Sequence, residues 1–558
     1  MAAGDSAIES RFSSIVTSGT GQAESLKQLQ ALDDSATGVA GVAAPLPARS
    51  RSGLAVYSWV TLVARSVVTM LAAFIATPYL LRFLGAERLG AYRASQQWLS
   101  YVQFLYVGLT PALVVMLLRP ASRDDLDGMA VVLKSGIRIA MRQSFTVVLP
   151  VAALVAWFMP ELVGISPALH DELRWGCLIS LFALFIVPLE SFRSVLACRQ
   201  LGYQVNIGLL VQSLVITGVS VWLAWLGFGL PGQYVGSLAG MMVFAALAMI
   251  FAWRHLAGHM RGRAAGIDRK ELWSLRWPML LTSVGGQMNL FTDYIVVSLI
   301  ATPVAVTTFS ITQRLMVVLG GFVTSFGEVS WAGLAELRVS NQPALFQARV
   351  LELVRLFLGI GFCFLVTFAA FNGRFVALWV GHQYYGGDAL TILTAVQTIV
   401  VGYFMFFALM IDMAGDTRLR VPVALGGAVL NVILSVILGR WLGLYGVTLA
   451  TVIAYAAGEG WYSPYLVSRR YAVSARAIVW ESARAIAMAA PCAIAVWLIA
   501  NRGTHADGWV RLGMEFSAAS MITFIYAWFM IMRAQDRAAW RLRLNLFLQN
   551  RNYRESIG

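Results

Sequence analysis

Apolar residues run in blocks of about twenty or more along residues 54–532, separated by short polar segments. A helix of about 20 apolar residues crosses the ~30 Å hydrocarbon core of a bilayer, whereas runs of 10–14 suit a soluble core. The pattern predicts fourteen spans, at 54–81, 94–118, 144–164, 175–197, 204–227, 234–256, 277–300, 304–333, 351–372, 388–411, 421–441, 443–467, 483–500 and 509–532. In lipid a helix satisfies its own backbone polar groups, so the fold class is all-α, a polytopic membrane protein.

The blocks divide the chain. Residues 1–53, rich in Ala, Ser and Gly, read as a disordered cytoplasmic tail without the charged start and apolar centre of a signal peptide. Residues 54–260 form a first six-helix lobe, 261–276 a linker, 277–470 a second six-helix lobe, 471–532 two additional helices and 533–558 a basic cytoplasmic tail. Within that tail, RAAWRLRLNLFLQNR (537–551) alternates bulky apolar residues with arginine, which suits either an inner-leaflet amphipathic helix or a plain solvated tail. The two lobes resemble each other. RFLGAERLGAYRASQQWL (82–99) aligns with SLIATPVAVTTFSITQRL (298–315), setting Gln97 on Gln313, and GLPGQYVGSL (229–238) aligns with GLYGVTLATV (443–452). An offset of six helices preserves orientation, so a parallel pseudo-twofold repeat about the membrane normal is expected.

Charge then sets the orientation. Charged residues make up 13% of the chain, against about 25% in soluble domains, and mean hydropathy is +0.71. The net charge of +14 reflects topology, not nucleic-acid binding: assigned to the nearest membrane face, 31 of the 42 Lys and Arg fall on the side of the termini and 8 on the other. By the positive-inside rule both termini are cytoplasmic. Cys177, Cys198, Cys363 and Cys492 are scattered without CxxC spacing, and His170, His255, His259, His382 and His505 fall near span ends, so no metal or cofactor is expected. A phosphate-binding glycine loop followed by Lys-Ser/Thr is absent from the sequence.

Polar residues interrupt the spans at helical spacing. Ser58, Thr61, Arg65 and Thr69 share a face of the first span, and Arg93, Gln96, Gln97, Ser100 and Gln103 one of the second. Asn289, Thr292 and Asp293 cluster in the seventh, Ser310, Arg314 and Glu328 in the eighth, and the fourth adds Glu190 and Arg193. An ionisable side chain at mid-membrane costs at least ~2.5–3.5 kcal/mol on insertion scales and faces a partner or a cavity. Buried pairs, such as Glu190 with Arg193 at i,i+3, are one reading. Because the stripes recur in the first two helices of both lobes, the other is a water-filled cavity lined by Gln96, Gln97, Gln103, Asn289 and Gln313. Its arginines, Arg65, Arg93, Arg314 and Arg193, suit phosphate through a planar fork of donors. Asp293 and Glu328, with Glu190 and Asp412 behind them, are candidates for a proton or sodium site. Arg82 and Arg88 belong at the outer rim, either snorkelling or pairing with Glu87.

LLRFLGAERLGAYRASQQWLSYVQFLYVGLTPALV (80–114) resembles the connection between the first two helices of Wzx-type polysaccharide flippases, in the multidrug/oligosaccharidyl-lipid/polysaccharide exporter superfamily. NLFTDYIVVSLIATPVAVTTFSITQRL (289–315), RFVALWVG (374–381) and GLYGVTLATVIAY (443–455) are similar to later parts of the same family. The resemblance spans about residues 54–470. It implies a V-shaped pair of lobes in the bacterial cytoplasmic membrane. By alternating access these would move a polyprenyl-diphosphate-linked oligosaccharide outward for O-antigen, capsule or exopolysaccharide synthesis. It further implies that Arg65, Arg93 and Arg314 contact the diphosphate or an acidic glycan, while Arg193 has no firm counterpart. Membrane lipids, a proton or sodium ion and polysaccharide assembly proteins would be its partners. A multidrug exporter, a membrane polymerase or ligase, and an envelope scaffold are the competing readings; the first disagrees with a first span that carries Arg65 and no carboxylate.

Overall fold

The computed structural model describes residues 48–103, 109–259, 280, 292–321, 334, 337, 342–413, 417–500, 508–534 and 536–538. The chain divides into two units, Met1–Gly53 and Leu54–Gly558. Of the first, residues 48–53 are described and are helical. Among the described residues there is no strand.

Ten described helices are long and apolar enough to cross a membrane, or eleven when the pair Pro303–Thr312 and Arg314–Gly321, bent by 51°, is taken as one span. This is fewer than fourteen, in part because one of the ten, Val60–Val102, runs for 43 residues. At 1.5 Å per residue that is roughly 65 Å, twice a hydrocarbon core. It lies within α1 (Ala48–Gln103), which is two helices joined at Gly85, where φ is +79°. Only glycine adopts that conformation without strain, so the break falls between the first two predicted spans, within RFLGAERLGAYRASQQWL. Parts of the sixth-to-seventh and eighth-to-ninth connections lie outside the described residues.

The first half continues through α2 (Leu109–Ser122), α3 (Leu126–Gln143), α4 (Leu149–Trp157), α5 (His170–Ser180), α6 (Ser191–Cys198), α7 (Gly202–Trp225) and α8 (Gly229–Leu256). The second contains α9 (Pro303–Thr312), α10 (Pro343–Trp379), α11 (Asp388–Met413), α12 (Val421–Leu442), α13 (Leu444–Ala457) and α14 (Glu459–Tyr471). α15 (Ala475–Ala500) and α16 (Trp509–Tyr526) follow and pack on α10. Outward-facing Trp222, Trp225, Trp441 and Trp480 are strongly exposed, as suits rings lying in lipid and at its interfaces.

The distribution of buried clusters shows how the halves meet. Near Gly85 one cluster joins Ala91, Met159 and Leu230 of the first half to Val297, Phe309 and Val447 of the second. Another joins Leu81 and Leu89 to Ile311 and Val376. Towards the opposite face, the cluster around Leu133, Leu196 and Phe244 contains first-half residues alone. That around Val354, Phe407 and Ile478 contains none from the first half. The halves therefore share a core at the Gly85 end and have separate cores at the other. Thr307 Oγ1 donates to Ala86 O (2.7 Å) and Trp379 Nε1 to Phe74 O (2.7 Å) across the shared end.

Gly90 makes the closest approach: a Cβ there would lie 1.7 Å from Pro303 O. Backbone cannot rotate aside, and overpacking costs about 1–3 kcal/mol. Gly90→Val is expected to open this end. A cysteine at Thr307, with the four native cysteines removed, would then react about tenfold faster with an impermeant thiol reagent. Unchanged labelling would show that the contact does not hold the halves together.

Candidate functional site

Arg93 lies on the arm of α1 after Gly85, eight residues from the break, which is about 12 Å along the helix. Its Nη1 donates to Ser310 Oγ of α9, which in turn donates to Thr307 O (2.8 Å). Arg314 follows α9 by two residues, at the 51° bend, and its guanidinium carbon sits 6.0 Å from the centre of the Phe74 ring. The two guanidiniums are close enough to repel each other, and Tyr294 lies within electrostatic reach of both. Neither forms an ion pair with a described carboxylate. Among the described residues, Arg314 Nε and Gln313 Nε2 next to it in the chain are buried without a hydrogen-bond partner, as are Gln97 Oε1 and Trp98 Nε1 on the arm that carries Arg93. Two like charges in a half-buried site, with unused donors on the same segments, favour an anion that neutralises both.

Asp293 lies in a second, oxygen-rich pocket. It is 9% exposed and accepts from Thr451 Oγ1 (3.2 Å) and Gln397 Nε2 (3.4 Å). The one Thr451 hydroxyl proton faces three acceptors: Asp293 Oδ1, Asn431 Oδ1 (3.2 Å) and Val447 O (3.4 Å). Ser435 Oγ donates to Asn431 Oδ1 (3.2 Å), and among the described residues Asn431 Nδ2 is buried without a partner. No described cation pairs with Asp293. Such a set suits a bound proton or a hard monovalent cation, which takes oxygen ligands. Among the described residues no group of three or more His, Cys, Asp or Glu is placed to hold a metal ion.

The four arginines of the sequence reading do not converge. Arg65 precedes Gly85 by twenty residues, about 30 Å of helix, and its close neighbour is Arg193 of α6. Glu190 lies near Arg193 without forming the i,i+3 ion pair. Gln96 lines a cavity of about 80 Å³ inside the first half, with Ser180, Tyr234 and Ser237. Asn289, Glu328 and the side chain of Gln103 lie outside the described residues. Asp412 sits in an ion network: it pairs with Arg420, whose Nη2 also donates to both Glu459 carboxylate oxygens (2.9 and 2.7 Å). Arg88 pairs through Nε with both oxygens of Glu172 (2.9 and 3.0 Å), not with Glu87, whose Oε1 accepts from the Ser166 N–H (2.9 Å). Glu172 also accepts from the Leu230 N–H (2.6 Å) at the start of α8, so Arg88 serves packing within the first half.

Thr451, Asn431, Ser435 and Gln397 were not foreseen. Asn431 and Ser435 stand four apart on α12, with Thr451 on α13 and Gln397 on α11, all in apolar helices; only the contacts that link them to Asp293 distinguish them. Thr451 falls within the GLYGVTLATV repeat, the one sequence signal that pointed near them.

No protein-family model matches the chain, and no curated protein does. Solved structures do. The lipid II flippase MurJ in an inward closed conformation is 15% identical, covers 84% of this chain and 98% of its own, and superposes with a TM-score of 0.60. A MATE-family multidrug resistance transporter of the MOP superfamily, inward-facing, is 16% identical over 74% of this chain and 99% of its own, with a TM-score of 0.55. An outward-facing MATE structure reaches 0.52 at 16% identity, covering 74% and 96%. The chain shares the fold of these proteins.

Proposed function

We propose that this protein is a Wzx-type flippase that moves a polyprenyl-diphosphate-linked oligosaccharide outward across the bacterial cytoplasmic membrane by alternating access. In this reading the chain has fourteen spans. Twelve form two lobes related by the parallel repeat, two more follow, and both termini are cytoplasmic. The Gly85 end is then the outer face, and the closed outer end with separate inner cores corresponds to a state sealed towards the outside. The observation that carries the reading is the pair Arg93–Arg314, brought together from the two halves without a described carboxylate. A diphosphate supplies the missing charge and accepts from both forks. Gln97 and Gln313 offer hydrogen bonds to sugar hydroxyls. The prenyl tail stays in lipid, so only the polar head needs a path.

Closing the lobes over the anion and reopening them on the other side completes a cycle. An inside-negative potential favours outward movement of net negative charge by ~2.3 kcal/mol per charge per 100 mV. The Asp293 pocket adds a counter-ion site, and Tyr294 lies within reach of both Asp293 and the arginines. Asp293→Asn keeps the shape and removes the charge. It is expected to abolish the response of flux in proteoliposomes to an imposed sodium or proton gradient, lowering gradient-driven flux about tenfold. Equal gradient responses in variant and parent would remove Asp293 from coupling.

A multidrug exporter on the same fold fits less well, because cationic drugs require carboxylates where this site holds two arginines. Deleting the chain separates the readings. Lipid-linked repeat units accumulating on the inner face support the flippase. Drug hypersensitivity with normal surface glycan supports the exporter, and export of single, unpolymerised units supports a polymerase or ligase.

A further inference from the structure

We infer that Arg65 and Arg193 form a second phosphate site near the inner face, which captures the lipid-linked head before it reaches Arg93 and Arg314. This rests on the proposed flippase function. The helix bases fix the geometry. Asn206 Nδ2 of α7 donates to Ser58 O (2.9 Å) and reaches Thr61 Oγ1 (3.3 Å), and a Cβ on Gly202 would lie 3.0 Å from Ser58 Oγ. The start of α7 is therefore level with Ser58. Arg65 stands seven residues further along α1, about 10 Å, on the face that carries Ser58 and Thr61. α6 ends at Cys198, four residues before α7 begins, and Arg193 stands five residues back from that end, about 8 Å. The two arginines thus reach similar depth on neighbouring elements, where they are close enough to repel each other.

Neither forms an ion pair among the described residues, and Glu190 beside Arg193 leaves the group a net charge of one positive unit. Arg193 is exposed and Arg65 partly so, and a ligand can reach them. Arg65 lies about 30 Å of helix from Gly85 and Arg93 about 12 Å, so with the two arms of α1 folded side by side they differ in depth by about 18 Å, too far for one diphosphate to touch both. The chemistry at both levels is the same, a planar fork for phosphate. Two sources carry that chemistry: the polyprenyl diphosphate and the headgroup of an anionic phospholipid.

Binding of radiolabelled undecaprenyl diphosphate to the full chain in phosphatidylcholine nanodiscs, paired with flux in proteoliposomes, tests the site. Arg93→Ala/Arg314→Ala is expected to retain binding, and removal of all four arginines to weaken it more than tenfold. Arg65→Ala/Arg193→Ala is expected to raise the half-saturating substrate concentration about tenfold with maximal flux within about twofold. Phosphatidylglycerol added to the nanodiscs is expected to compete only weakly. Loss of all binding in Arg93→Ala/Arg314→Ala overturns the capture site. So does an unchanged half-saturation in Arg65→Ala/Arg193→Ala, or full displacement by phosphatidylglycerol, which would mark a phospholipid site. A wild-type chain that binds the probe at the Arg65–Arg193 level without flipping it upholds the site and overturns the function.

Discussion

Replacing Arg93 and Arg314 together with alanine is expected to lower flipping of a polyprenyl-diphosphate-linked glycan at least about 100-fold without reducing folded protein in the membrane. A hydrogen bond to a charged group contributes about 1.5–3 kcal/mol. Losing one such bond from each arginine removes at least about 3 kcal/mol, and every 1.4 kcal/mol is a factor of ten. Stability should move the other way. The pair sits in a partly buried site, its charges repel, and no described carboxylate offsets them. The thermal midpoint of the double variant should equal or exceed that of the parent. Lysine is not equivalent, since it lacks the planar fork, so Arg93→Lys should recover only part of the flux. Arg88→Ala is the control: its partner Glu172 belongs to the first half, and flux should stay within about twofold. A lowered midpoint in the arginine double variant, with flux falling in proportion to folded protein, would make the pair structural.

The second large effect concerns folding. Arg355 of α10 is 4% exposed and pairs with Glu481 of α15 (2.9 Å) and Asp536 (2.6 Å), beyond α16. Arg533 joins Glu481 and donates its backbone N–H to Asp536 (3.1 Å). The network ties α15 and the segment after α16 to the second half. Removing one member of a buried pair costs about 3–5 kcal/mol, because the remaining charge stays buried. Arg355→Ala leaves Glu481 and Asp536 with Arg533 alone and should cut the yield of folded, monodisperse protein severely. Arg355→Met/Glu481→Leu removes the charges together and leaves Asp536 to Arg533, so it should recover most of that yield. Equal yields of Arg355→Ala and parent would show the network to be dispensable.

The readable part of this protein is what helical periodicity and membrane cost impose. Ionisable groups in apolar blocks stand out, so Arg93, Arg314 and Asp293 were legible as site candidates. The polar stretch between the first two predicted spans marked the connection in which the Gly85 break falls. What stayed hidden depends on residues far apart in the chain. The Glu172 partner of Arg88 lies 84 residues away, whereas Glu87 is adjacent and proved to bind another segment. Arg355 fell at a predicted span boundary, where an arginine needs no partner, and its carboxylates lie 126 and 181 residues on. Asp412 looked like an ion-coupling carboxylate because Arg420 was counted as a loop cation. Arg65 and Arg193 shared the right chemistry with Arg93 and Arg314, but a stripe records a helix face and not its depth. Depth follows once Gly85 and the base of α7 anchor the count.

The most direct test of the central claim is flipping of a polyprenyl-diphosphate-linked oligosaccharide in proteoliposomes. The readout is loss of inner-leaflet glycan to a membrane-impermeant oxidant added outside. Parent protein should expose nearly all of the glycan with time, while Arg93→Ala/Arg314→Ala, reconstituted to the same density, should leave about half protected, as protein-free vesicles do. Protection at about half in the presence of parent protein, or equal exposure by parent and double variant, would contradict the account.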